Sequence, residues 1–279
     1  MMNLIKADLY RILKGKAIYI TLIIIIGMSL VSVIGMTPGY IGMTSATEST
    51  LNIEDEEMRG MLLEVNDLKG VRDIMKSSGG YELDQAVIGT NMNLYYFFII
   101  IVVLILCTDF SNKSIKNTLS SAISRKKYYW SKAILIFLIC TFLVLFNNYF
   151  FYFVNLLVNG KDFASSFLDV FKSTVIQFPL IYGIISLLIC FAFLFKKTAA
   201  FNTISIPFVM VVQLIVYGII NLFRIKADWF YQYEIQNALA RLANHPTSGY
   251  VLNCALLGVF YIVLFHIIGY YAFKNTEIK

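Results

Sequence analysis

Charge is what this 279-residue sequence has least of. Asp, Glu, Lys and Arg make up 14% of it and hydrophobic residues 58%, where a soluble globular domain carries roughly 25% charged and 45–50% apolar residues. Too few polar groups are present to cover a water-exposed surface, so the bilayer is the expected solvent, and apolar runs of about 20 residues are the test. Cysteine is also scarce. Cys107, Cys140, Cys190 and Cys254 lie inside or at the edges of apolar runs and make no CxxC pair. That argues against a disulfide framework or a zinc site and for small packed side chains. GxxxxGK[ST] is missing: Lys14-Gly15-Lys16 has neither the upstream glycine nor the following Ser or Thr, so no P-loop nucleotide site is expected. HExxH, GxSxG and the kinase motifs are missing as well, and the acidic Asp55-Glu56-Glu57 has no EF-hand spacing.

Histidine is limited to His245 and His266. No acid shares an apolar run with His266, so a packed neutral imidazole is a simpler reading than a proton relay. No Asp, Glu, Lys or Arg stands at the centre of any apolar run. Ion- and proton-driven pumps use such groups, so the energy for any transport should come from outside this chain.

Six apolar runs are present, at 17–36, 90–107, 133–158, 173–195, 200–223 and 251–273. They predict an all-α polytopic membrane protein with six transmembrane helices. The net charge of +6 is unevenly placed. Lys6, Arg11, Lys14, Lys16, the cations of 108–132, Lys196, Lys197, Lys274 and Lys279 fall on one side of a six-span topology. By the positive-inside rule that side is cytoplasmic and holds both termini. Because these cations flank spans, nucleic acid is not an expected partner and the lipid surface is.

Residues 3–14 form an amphipathic pattern. At 100° per residue Leu4, Ile5, Leu9, Ile12 and Leu13 share one half of the wheel, and Asn3, Lys6, Tyr10, Arg11 and Lys14 the other. Such a helix should lie flat in the cytoplasmic interface. Asp8 interrupts the apolar arc and reads as an exposed acid at its edge, or as a partner contact. The segment 37–89 is acidic and expected outside. Its Met58, Met61, Leu62, Val65 and Leu68 suggest a helix, and it reads as a connector or as a ligand-attracting element.

Residues 108–132 are polar and basic, with one acid, Asp109. Ile115, Leu119, Ala122 and Ile123 fall on one helical stripe, with Lys113, Lys116, Asn117 and Ser120 mainly opposite. A short two-faced helix here either docks into a partner's groove or lies on headgroups, and the pattern leaves both open. Tyr128, Tyr129 and Trp130 close the loop as an aromatic belt. Polar residues within spans are Asn147, Asn148 and Asn155 in the third, Gln177 in the fourth, and Asn202 and Gln213 in the fifth. They either line a path or join helices by hydrogen bonds worth about 0.6–2 kcal/mol. Residues 224–248 are too apolar for a free loop and too polar to span. Trp229, Phe230, Tyr231 and Tyr233 resemble an interfacial belt, and Ile235, Leu239 and Leu242 predict one or two short helices dipping into the outer leaflet.

This order of elements, with NLIKADLYRILKGK at the start and DFSNKSIKNTLSSAISRKKYYWSK after the second span, resembles the permease subunit of ABC-2 type transporters. The likeness is to permeases of bacterial antimicrobial-peptide (lantibiotic) export and self-immunity systems, in the plasma membrane. It implies a second permease subunit and separate ATPase subunits that bind ATP and Mg, with no cofactor on this chain. It also implies that 3–14 is a connecting helix and about 113–124 a coupling helix. Ile115, Lys116, Leu119 and Ile123 would contact the ATPase, and Asp109 and Arg125 would pair with its charges. The segment 40–87 has no matching wording, so it names no substrate. The rival reading is a non-transporting sensor or scaffold whose 40–87 segment binds a ligand.

Overall fold

The structure is a computed structural model and describes residues 2–35, 83–120, 123–161, 164–223, 232–244 and 246–275. The helix expected around 58–75 and the residues Ala122, Trp229, Phe230, Tyr231, His245 and Lys279 lie outside that set. Among the described residues there is no strand.

Helix α1 (Met2–Lys14) is followed after one residue by α2 (Lys16–Gly35). The elbow is Gly15, whose N–H donates to the Arg11 and Ile12 carbonyls. The short α3 (Leu83–Gly89) precedes a continuous helical rod, Asn91–Ser111. The rod comprises a 3-10 turn Asn91–Leu94, α4 (Tyr95–Val102), a π-helical stretch Val103–Cys107 and α5 (Thr108–Ser111). Lys113, at φ 55°, turns the chain into α6 (Ser114–Ser120).

Helix α7 (Arg125–Asn159) starts where the Ser124 side chain accepts the Lys127 N–H, and ends at Gly160, φ 78°. Its 35 residues extend about 52 Å, well beyond a hydrocarbon core of about 30 Å. Its ends therefore reach past the hydrocarbon, and its first two turns pack against the other elements at that end, with Tyr128 and Tyr129 buried. Helix α8 (Phe167–Phe195) is capped by Ser166 and stops at Lys196 in the left-handed region. Then come α9 (Thr198–Phe223), α10 (Ile235–Ala243), capped by the Glu234 carboxylate, and α11 (Ser248–Lys274).

Helix α8 is the central post. Its closest neighbour is α11, along most of its length, because small residues let the backbones meet. A Cβ on Gly258 would stand 2.4 Å from the Pro179 carbonyl carbon and oxygen, and one on Gly269 would be 3.1 Å from the Cys190 Cα. Helix α2 packs on α7. Helix α9 is peripheral, with 12% of its most apolar stretch buried. Outward-facing apolar side chains such as Val31, Leu157, Leu214 and Leu222 are more than two-thirds exposed. Such a belt is stable against lipid, not water.

Three boundaries differ most from the sequence expectation, one being the fourth span, which begins at Phe167 rather than 173. The third span begins at Arg125 rather than 133, because Ser124 caps a helix whose first turns are buried at Tyr128, Tyr129 and Lys132. The second span runs on to Ser111. The expected loop at 108–132 is thus only the short connection around α6.

Gly258→Val will drive α8 and α11 apart and lower stability by at least about 1–3 kcal/mol, as overpacking does. Gly27→Ala, with nothing within 4 Å of the added carbon, will be neutral. Thermal unfolding in lipid nanodiscs checks both.

Candidate functional site

The bundle end that carries α1, α6 and the start of α7 contains a cluster of buried ionised groups. Asp109 terminates the second span and is 3% exposed. One of its oxygens accepts from the Arg11 guanidinium at 2.6 Å; the other accepts the Tyr128 hydroxyl at 2.8 Å and lies 2.5 Å from the Lys132 ammonium. Asp8 adds a second carboxylate, 2.7 Å from Lys132 and 3.2 Å from Arg11. The Asp8–Lys132 approach is a charge contact without hydrogen-bond geometry. Two carboxylates and two cations thus balance where Asp8, Asp109 and Lys132 have little water. Unpaired, each would be strongly destabilising there.

Each residue reaches this point for a local reason. Asp8 and Ile12 are one helical turn apart on α1 and form its buried face with Leu4 and Ile5. Tyr128 and Lys132 repeat that four-residue spacing on the first turns of α7. Asp109 follows the π-helical stretch, whose wider hydrogen-bonding pattern shifts the carbonyls of the rod. Arg11 also points at the Leu104 and Ile105 carbonyls, at 3.4 and 3.5 Å, and the Thr108 hydroxyl donates to Leu104 at 2.8 Å. Burial is the largest influence on the Arg11 guanidinium and would lower its pKa. The hydrogen bond and charge of Asp109, with the charge of Asp8, outweigh it and raise the pKa above the usual arginine value, so Arg11 stays protonated at any physiological pH.

Further contacts tie the rest of this end together. Arg125 donates to the Phe273 and Lys274 carbonyls at 3.0 and 2.8 Å, closing the end of α11, and its guanidinium lies over the Phe273 ring. Ser111 and Thr198 share a hydrogen bond at 2.9 Å between the second and fifth spans. With both acids of this end drawn inside, the charges on its described outer surface are cations: Lys113, Lys116, Lys126, Lys127, Lys197 and Lys274 are all exposed.

Several expected site residues fall elsewhere than the sequence placed them. Asp8 is not an exposed acid; its carboxylate is 9% exposed and ion-paired. Asp109 spends its charge on Arg11 and Lys132 of its own chain, so it is not a partner-facing acid. Arg125 closes α11 rather than projecting outward. Ile115 is 2% exposed in the core, and Leu119 and Ile123 pack half-buried against it. That apolar stripe is consumed within the chain because α6 lies back on the bundle, whereas Lys116 is exposed. On α1, Leu9 and Leu13 are exposed at 38% and 51%, and Lys6 and Lys14 face outward. The roles of Asp8 and Lys132 were missed. The available signal was that Asp8 and Asp109 are lone acids in the two most cationic segments.

The polar residues within spans mostly join helices. Asn148 donates to the Thr174 hydroxyl of α8 at 3.0 Å, whereas Asn159 donates to Asn155 at 2.8 Å within α7 itself. Gln177 accepts from Asn91 at 2.6 Å and donates to the Ile88 and Leu239 carbonyls, at 3.0 and 2.6 Å. Beside it, Asp84 accepts from the Ser165 N–H and hydroxyl, and Gln85 bonds Ser165 and Ser173. This network clamps α3 and α10 over the opposite end of the bundle. Of the residues read either as path-lining or as helix-joining, Asn148, Asn155 and Gln177 are buried, and Asn148 and Gln177 bond across helices. Gln213 bonds Gln236 at 3.0 Å, and the Asn202 side-chain oxygen is buried without a partner. Asn147 lines an open recess of about 190 Å³ with Ser29, Ser32, Thr90 and Asn93. Among the described residues no three His, Cys, Asp or Glu side chains gather as a metal site would require.

Fold and site together define an all-α, multi-pass membrane protein: six of its described helices are long and apolar enough to cross a bilayer. Residues 75–279 match the family described as "protein of unknown function (DUF2705)", and the chain belongs to that family. The matched region holds Asp109, Tyr128 and Lys132, while Asp8 and Arg11 precede it. No curated protein and no solved structure matches.

Asp109→Asn or Lys132→Met alone will cost about 3–5 kcal/mol by stranding a buried charge. Asp109→Asn with Lys132→Met will cost less than the sum of the two, since Asp8 and Arg11 still pair. Lys172→Met, which removes an exposed pair of 3.6 Å, will change stability by no more than about 1 kcal/mol. A double-mutant cycle on unfolding in nanodiscs reads all of these.

Proposed function

We propose that this chain is the membrane-spanning permease subunit of an ATP-driven ABC transporter. It works in a bacterial plasma membrane, moves an amphipathic substrate such as an antimicrobial peptide, and is driven by ATP hydrolysis on a separate subunit. The observation that supports this most directly is the ionic cluster of Asp8, Arg11, Asp109 and Lys132 beneath a surface whose described exposed charges are cations. It ties the interfacial helix and the second and third spans into one unit, so a push on α1, α6 or the start of α7 is passed to spans rather than absorbed by a loop. The lysines of that face support a cytoplasmic side for it and for both termini, by the positive-inside rule. A second permease subunit completes the assembly.

The partner's contact is then with the exposed cationic side of α6 and the start of α7, not with the apolar stripe. Lys113, Lys116, Lys126 and Lys127 meet an acidic rim on the ATPase. The clamp at Asp84 and Gln85 favours a second reading, a ligand-sensing subunit, because it anchors the end of the 40–87 segment directly to the bundle.

The test is co-purification of the tagged chain with the P-loop ATPase encoded beside it, then ATP-dependent uptake of a labelled cationic peptide in proteoliposomes. Lys116→Glu with Lys126→Glu will lower ATPase recovery about tenfold or more, since like charges across an interface are strongly unfavourable, and uptake will fall with it while thermal stability holds. Uptake by the purified chain without any ATPase overturns the proposal.

A further inference from the structure

A second feature lies on the other side of α1. Between α1, α2 and α7 runs an apolar groove of about 380 Å³, lined by Leu9 and Leu13 of α1, Ile18 and Leu22 of α2, and Leu138 and Phe142 of α7, among others. One polar side chain borders it, Tyr19, and its hydroxyl is occupied by the Leu13 carbonyl at 2.8 Å. The groove thus offers nothing for a polar ligand to bond and fits hydrocarbon.

Its lining residues come from both sides of the Gly15 elbow, so the groove opens where the interfacial helix turns into the first span. Lys14 and Lys16 flank that elbow and both are exposed. The one acid of α1, Asp8, is turned away into the ionic cluster, so it does not neutralise them. A hydrocarbon slot at the membrane surface, with two cations at its mouth that no acid among the described residues pairs, is complementary to an apolar chain carrying an anionic head.

We propose that this groove binds an anionic glycerophospholipid of the surrounding leaflet, one acyl chain between α1 and α7 and its phosphate at Lys14 and Lys16. The lipid covers Leu9 and Leu13, and α1 is seated by ion pairs on one side and by lipid on the other. This rests only on the chain being a membrane protein and is independent of transport.

Tryptophan fluorescence tests it. In a Trp130→Phe, Trp229→Phe background, Leu138→Trp reports the groove and Leu214→Trp a lipid-facing site on α9. The chain is placed in vesicles of equal phosphatidylglycerol and phosphatidylcholine, with one or the other brominated. At 138, brominated phosphatidylglycerol will quench in clear excess, reflecting local enrichment of about fivefold per lysine contact. At 214 the two lipids will quench equally. Lys14→Gln with Lys16→Gln will remove the preference at 138. Equal quenching at 138, or a preference that survives loss of both lysines, overturns the proposal. Should the tryptophan background not fold, the unaltered chain extracted from the same vesicles in mild detergent decides: retained phosphatidylglycerol over phosphatidylcholine, lost with both lysines, supports the site, and equal retention of the two lipids overturns it.

Discussion

Asp109 cannot be left without a cation. It sits at the end of a membrane helix, shielded from water, and a carboxylate there is tolerable only with charge partners and hydrogen-bond donors around it. Arg11, Lys132 and Tyr128 supply both. Much of this end of the bundle follows. Helix α1 must lie against the second span for Arg11 to arrive, and α7 must start eight residues before its apolar run for Tyr128 and Lys132 to arrive. The π-helical stretch must leave carbonyls within reach of Arg11.

The two ends of the bundle are held by different chemistry. At the lysine-rich end the ties are ionic and few, and they join elements far apart in sequence, 98 residues in the case of Arg11 and Asp109. At the other end the ties are neutral amides and hydroxyls around Gln177, with the Asp84 carboxylate accepting from Ser165. Between them α8 and α11 meet through glycines, where the approach is limited by backbone atoms and not by side chains. Lipid supplies no hydrophobic drive for helices to associate, so close contact and polar ties have to do that work.

The positions of the spans were legible because length and hydropathy suffice to identify them. The sidedness of the cations was equally plain, since the rule behind it concerns sequence neighbourhood. The α1 arc was read with Asp8 as a blemish, whereas Asp8 is part of the buried face with Ile12. A helical wheel treats an acid as a solvent marker and cannot show a cation waiting in another helix. The stripe Ile115, Leu119 and Ile123 was rightly seen as a face. Whether that face meets a partner, lipid or its own bundle depends on how the chain turns at Lys113, and the pattern left that undecided.

By itself, then, the sequence determined an all-helical chain for the bilayer, six apolar spans, and a strongly cationic end, because these depend on local composition and on the transfer of single helices from water to lipid. The fold alone decided which charges are buried together, which lysines remain outside, and where a groove opens beside the first elbow. Those outcomes depend on distances between residues that are far apart along the chain, set by glycine-mediated helix contacts and by the requirement that a buried charge find a counter-charge or hydrogen-bond donors.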